Sequence, residues 1–536
     1  MATKVEESAK RMNIALCVLD AAGHLNPMLA LSSELIGKGH HVRFLVVTPA
    51  NIENIKNSKK EFEEGKDYSF ARMWTEEDVA SFSQHPREWF KGIVPEYEDQ
   101  SEAERKSSDF LMWRFHEGVR AVPMYLEELG TFKCDLLITD PMVAGGPIAA
   151  TLLGIPVVSV VTFPQFGMFP LWLGADTDEE REAAFDNFRR AGVVAEANDV
   201  LIDEYGFDFF ENFLPSHMLG DTWLNLCTGV REFDVEMPRL AKKIFGENIA
   251  ESCHYVGPMV LTKEQGHLSR TAVIMDGTSP TPSPPFPFHR VQKFKEEGRK
   301  VVYISFGSIV ASYKWEDPAA DNGRINKTGN AKQSGKVFCT DLWQKFFEAF
   351  GGDDRIAVVL SSGPKFQDEK EFADHVPDNF IVRPNVPQVE LLDHVDAFVT
   401  HAGANSMFES IAASVPMLAT PYFADQFGNA KMISREGVGL HYDDPVAESS
   451  AEDLKEKVWS LLENKVEFVA NCERLQRSIK TAGGAKRASE AIEAYVADFK
   501  GHGELKGPRQ KEVLERCGSA AGRSDAGSSL RSFELI

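Results

Sequence analysis

Short apolar runs recur along the chain, each followed by a stretch of helical period, and this alternation predicts βα units rather than hairpins. NIALCVLDAAGHLNPMLALSSELIGKGHHVRFLVV reads as a strand, a small-residue turn, a helix closing at Gly-Lys-Gly-His, and a second strand. CDLLITDPMVAGGPIAATLLGIPVVSVV repeats the pattern, with strands at Leu136 to Thr139 and Val157 to Val161 around a helix from Gly146 to Leu153. Strands joined by helices pair in parallel, so residues 1–262 are expected to form one doubly wound unit. Ser-Pro-Thr-Pro-Ser-Pro-Pro-Phe-Pro-Phe, from Ser279, fits neither regular element, and the linker is placed at 263–290. KVVYISFGSIV, RIAVVLSSG, NFIVRPNV, AFVTHAG and VPMLATP then form a second βα series, giving a second Rossmann-like unit over 291–500. Ala311 to Lys336 is polar and breaker-rich, expected to be a long loop acting either as a passive insertion or as a flap over a ligand, and 501–536 is expected to be disordered.

Composition narrows the partners. The 536 residues carry a net charge of −23, which disfavours nucleic acid and anionic membrane surfaces, and 43% hydrophobic residues suffice for large cores. No apolar run approaches the roughly 20 residues of a membrane span, and the polar N-terminus lacks a secretory pattern. Seven scattered cysteines show no zinc or redox spacing. A cytoplasmic protein without resident cofactor or metal is expected.

The densest chemistry lies between Asn385 and Gln426. A strand at Ala397 to Thr400, a tight turn from His401 to Ala404 and a helix from Asn405 to Ala413 would aim a helix N-terminus at a ligand, a diphosphate cradle. His401, Asn405 and Ser406 add side-chain donors, and Glu409 could accept the vicinal hydroxyls of a ribose; alternatively Asn405 only caps and Glu409 is solvated. In the first unit, Gly23-His24-Leu25-Asn26-Pro27 is expected between the first strand and first helix, and Asp140 at the end of another strand. Both would face one crevice as a general-base dyad, or serve as helix cap and turn former. Asp176-Thr177-Asp178 matches a metal-binding Asp-x-Asp but opens an acidic helix, so a solvated helix start is preferred. Phe163, Phe166, Phe169 and Trp172 either line a pocket for a flat apolar acceptor or are core. No GxGxxG or Walker loop accompanies either sheet.

The segment from Asn385 to Gln426 resembles the donor-binding box of the family 1 UDP-glycosyltransferases, at Pro387-Gln388, His401, Gly403, Asn405-Ser406, Glu409, Val415-Pro416, Pro421 and Asp425-Gln426. Tyr255-Val256-Gly257-Pro258 resembles the family's segment closing the first domain. The resemblance implies a GT-B fold, two Rossmann-like domains facing across a cleft, and inverting, metal-independent transfer of a hexose, glucose first, from a UDP-sugar to a hydroxyl of a small lipophilic acceptor. It implies His24 and Asp140 as catalytic, and Ser308, Val386, Gln388, His401, Gly403, Asn405, Ser406, Glu409, Asp425 and Gln426 as donor-binding. Ser308 would touch the β-phosphate, and Asp425 and Gln426 the sugar hydroxyls. Asn385 replaces the family's base-stacking aromatic and Ser414 its Gly, and the box is shortened between Gln388 and His401 as in bacterial members acting on antibiotics, so thymidine-linked donors stay open. A nucleotide-sugar epimerase and a non-catalytic nucleotide-sugar or lipophile sensor are the alternatives.

Overall fold

Two parallel sheets organise the chain. The first holds β1 (Asn13–Cys17), β2 (His41–Val46), β3 (Tyr68–Arg72), β4 (Leu136–Thr139), β5 (Val157–Val161), β6 (Leu224–Cys227) and β7 (Cys253–Tyr255), in the order β3-β2-β1-β4-β5-β6-β7. The second holds β8 (Lys300–Ser305), β9 (Ile356–Ser361), β10 (Phe380–Arg383), β11 (Ala397–Thr400), β12 (Met417–Ala419) and β13 (Gly439–His441), in the order β10-β9-β8-β11-β12-β13. The computed structural model describes residues 11–18, 22–46, 49–73, 102–166, 192–212, 223–233, 253–259, 285–312, 315–316 and 334–501, with isolated positions between 179 and 190.

Alternation along each strand feeds a core on each face, as expected of sheets covered by helices on both sides. Ala15 and Cys17 join one cluster with the helices Glu102–Phe132 and Gly145–Leu152, while Ile14 and Leu16 join another with the helix Ala22–Gly37. In the second sheet, Val302 and Ile304 face the helix Gly335–Phe350, and Val301 and Tyr303 face the helices Ala404–Ala412 and Lys465–Ala482. The βα reading of both sheets thus holds, with local differences.

Gly23 to Pro27 lies within the helix Ala22–Gly37, not ahead of it. Pro27 is tolerated because it falls near the helix start, but it has no N–H for the Gly23 carbonyl four residues back. Gly335 already begins a helix, capped by Ser334 Oγ accepting from Val337 N at 3.3 Å, inside the expected loop 311–336. Ala311 and Trp315 are core residues, and residues 317–333 lie outside the described region. Of the expected linker, 285–290 is described, with the helix Phe288–Glu296 starting there. The tail beyond residue 501 is outside the described residues.

The last helix crosses back. Gly483, at φ 91°, ends the helix Lys465–Ala482 and starts the helix Gly484–Asp498, whose Ala488 and Ile492 are buried in the core of the first sheet. Glu493 there receives Lys38 Nζ at 2.7 Å and His40 Nε2 at 3.3 Å. The expected span 291–500 counts this helix with the second unit, whereas its packing is with the first.

Candidate active site

Each sheet reverses its strand order once, between β1 and β4 in the first and between β8 and β11 in the second. Parallel sheets open a crevice at the carboxyl ends of such strands, and the candidate residues sit there: His24 and Asp140 after β1 and β4, Ser308 and His401 after β8 and β11.

Asp140 is fully buried, its N–H donating to Cys17 O at 2.9 Å just past the β1–β4 ladder. Oδ1 accepts Met142 N at 2.8 Å, a turn contact, while Oδ2 lies 2.6 Å from His24 Nδ1. The turn contact and the contact with His24 therefore coexist, one oxygen each. A carboxylate at Nδ1 requires the proton there, which leaves the neutral ring's lone pair on Nε2, the atom of a general base. Thr162 Oγ1 is 3.1 Å from the same Nδ1, and the Phe163 ring meets the imidazole edge-on at 5.9 Å.

In the second unit, His401 follows β11 with its N–H bonded to Ser305 O at 3.2 Å, and its ring is wedged between two glycines. A Cβ on Gly307 (φ 79°) or Gly403 would come within 2.6 or 2.5 Å of Nε2. Ala402 turns the chain at φ 63°, and the helix Ala404–Ala412 begins immediately, with Gly403 as N-cap and no side-chain cap. A helix start of this kind presents backbone N–H groups and a positive dipole end to an anion. Ser308 is partly exposed at the neighbouring strand end.

Behind the cradle, Gln388, Ser406 and Glu409 are buried together, with Gln388 Nε2 2.6 Å from Glu409 Oε2. Val386 packs its side chain into the core, so only its main chain can face a base. At the other end, Gln426 Oε1 accepts Tyr422 N at 2.9 Å and Phe423 N at 3.1 Å, which orients the amide and turns its NH2 away from that loop. Asn429 Nδ2 donates to Asp425 Oδ2 at 2.7 Å and to Ala402 O at 2.8 Å, tying Asp425 to the cradle turn. Burial pushes the Asp425 carboxyl up to about 6, against the Asn429 hydrogen bond and the charge of His24. Asn405 Nδ2 also reaches the Gly23 carbonyl, which Pro27 cannot serve with an N–H, at 3.4 Å.

Residues 365–480 match the family model described as UDP-glucoronosyl and UDP-glucosyl transferase. The NDP-glycosyltransferase YjiC of Bacillus licheniformis is 26% identical over 90% of this chain and 98% of its own length. The chain is thus similar to the family 1 glycosyltransferases, by the family model over 365–480 and by this relative along most of its length. The oleandomycin glycosyltransferase of Streptomyces antibioticus is 33% identical over 34% of this chain and 40% of its own. The calicheamicin glycosyltransferase CalG4, 19% identical, superposes with a TM-score of 0.57 over 92% of this chain and 100% of its own, which shows the GT-B fold. This glycosyltransferase is thus an enzyme acting on a nucleotide sugar.

Among the expected acceptor residues, Phe163 is in the core with one edge on His24, and Phe166 is buried against Tyr255 at 5.2 Å. Phe169 and Trp172 lie outside the described residues, as do Asp176 and Asp178. Thr162, 3.1 Å from His24 Nδ1, Asn429, bonded to Asp425, and Tyr303, whose hydroxyl donates to Gln388 Oε1 at 3.1 Å, contact the candidate residues without having been singled out from the sequence. Only the position of Thr162, one residue past a buried strand at the ligand end, could have pointed to it.

Proposed function

We propose that this glycosyltransferase catalyses inverting transfer of a hexose, glucose first, from a UDP-sugar to a hydroxyl of a small lipophilic acceptor. His24 Nε2 takes the hydroxyl proton and Asp140 stabilises the imidazolium. The acceptor oxygen forms its bond to the anomeric carbon from the face opposite the diphosphate, and the bond to the diphosphate oxygen breaks with its electron pair. The start of the helix Ala404–Ala412, with His401, Gly403, Asn405, Ser406 and Ser308, stabilises the departing charge. Glu409 accepts the ribose hydroxyls, Val386 and Gln388 border the base, and Asp425 and Gln426 hold the sugar. The observation carrying this reading is the 2.6 Å His24–Asp140 pair, next to the Gly23 carbonyl that Asn405 Nδ2 of the cradle helix reaches at 3.4 Å.

Relatives named as an oleandomycin glycosyltransferase and a sterol 3-beta-glucosyltransferase favour a bulky apolar acceptor. The relatives named here are transferases, which supports transfer over the epimerase and sensor readings. A thymidine-linked donor is the second reading, favoured by Asn385 in the place of a stacking aromatic. Incubation with UDP-glucose or TDP-glucose and a panel of phenols, sterols and macrolides tests all of these. A glycoside with free nucleoside diphosphate supports transfer, whereas an isomerised donor or binding without turnover contradicts it. The cradle supplies charge stabilisation without an ion, so activity is expected to survive EDTA; loss restored by manganese would contradict this.

A further inference from the structure

The cradle rests on a hydrogen-bonded chain that starts inside the sheet. Tyr303, in β8, is 1% exposed, and its ring stacks on Phe398 of β11 at 4.6 Å and 8°. Its hydroxyl donates to Gln388 Oε1 at 3.1 Å; Gln388 Nε2 donates to Glu409 Oε2 at 2.6 Å and lies 3.4 Å from Ser406 Oγ. Chemistry fixes the direction of this chain. A carboxylate only accepts, so the amide NH2 must face Glu409, its oxygen must face Tyr303, and Tyr303 must donate. In a buried setting a reversed amide would set two acceptors against each other, so the phenol hydroxyl locks the amide and the amide locks the carboxylate.

We propose that Tyr303 is a positioning residue for nucleoside recognition: through Gln388 it holds the Glu409 carboxylate in the orientation that accepts both hydroxyls of a ribose, and so sets a preference for ribonucleoside over 2′-deoxyribonucleoside diphosphates. The inference rests on the reading of Glu409 as the ribose acceptor. A carboxylate held still can meet two vicinal hydroxyls at once, while one free to swing gains little over meeting one. A 2′-deoxyribose offers only the 3′-hydroxyl, so loss of orientation weakens the ribonucleotide and spares the deoxy analogue.

Calorimetric Kd values of UDP and 2′-deoxy-UDP, measured on the full chain, test this without knowledge of the acceptor. The wild-type protein should prefer UDP by about ten-fold or more, the size of a hydrogen bond to a charged group. Tyr303→Phe keeps the ring and its stack. It should weaken UDP about five-fold and leave 2′-deoxy-UDP within about two-fold. Glu409→Gln should bring the ratio close to one. A wild-type ratio in Tyr303→Phe, or equal weakening of both nucleotides, overturns the proposal while the Glu409 reading stands if Glu409→Gln loses the preference. An unchanged ratio in Glu409→Gln overturns both. If Tyr303→Phe fails to fold, Gln388→Met cuts the same chain one link later and must narrow the ratio, and nucleotide-dependent Tm shifts provide a second readout.

Discussion

At the residue scale, single side chains carry two duties at once. Asp140 closes a turn with one oxygen and orients His24 with the other, and Asp425 sits where burial makes its charge costly. The Asp425 carboxyl is pushed up to about 6 in the fold, against roughly 3.9 in an unfolded chain. The unfolded state therefore ionises first, so this group's stability contribution is full below about pH 4 and is lost as pH rises through about 6. Asp425→Asn removes that titration, and its Tm gain over wild type should be larger at pH 8 than at pH 4; thermal melts across pH check this, and an equal gain at both would contradict it. His24, Asp140 and the proposed donor residues stood out in the sequence because their types are chemically diagnostic and most lie close to strand ends. Tyr303, Thr162 and Asn429 did not. Their partners come from other strands and helices, and nothing in their local sequence distinguishes a phenol, hydroxyl or amide with a functional neighbour from one that merely packs.

At the element scale, periodicity identified strands and helices better than their starts. Gly23 to Pro27 looks like a loop because it joins glycine to proline, yet a helix start tolerates both, and the cost is one carbonyl that Asn405 contacts from the other unit. The polar insertion shows the same effect. Its breakers hide Trp315, which is buried near Trp343 at 5.8 Å, and the Ser334 cap of the next helix. Lys336 N donates to Trp315 O at 2.9 Å, so the ends of the segment 317–333 are held together without it. Trp315 also packs on the sheet face opposite the one carrying Tyr303. Replacing 317–333 with a short Gly-Ser turn should keep Tm within a few degrees, roughly, and leave the donor KM within about two-fold, as for a passive insertion. A raised donor KM in steady-state kinetics would instead identify a flap over the nucleotide sugar.

At the scale of the whole molecule, the two units are joined by more than the linker. Phe233 follows β6 of the first sheet, yet its ring is buried in the core of the second, stacked on Phe408 at 6.0 Å. Its carbonyl accepts from Gln165 in one unit and from Arg435 Nη2, at 3.2 Å, in the other. Phe408 belongs to the cradle helix, so this plug sets the cradle against the dyad. Phe233→Ala should cost about 3–5 kcal/mol in stability, read by denaturant unfolding, and lower turnover more than UDP affinity. Equal losses would mean the plug stabilises without aligning. The two-sheet architecture was legible because βα alternation appears twice, but the crossing of the helix Gly484–Asp498 was not, since an amphipathic pattern shows that a face is buried and not which sheet buries it. The central claim is that alignment of the units places a base, His24, against a sugar held by the cradle. Single-turnover glycosyl transfer by His24→Ala, with UDP affinity measured on the same protein, tests it most directly. The account predicts a rate lower by about 100-fold or more at nearly unchanged UDP affinity. A wild-type rate in that variant would contradict it.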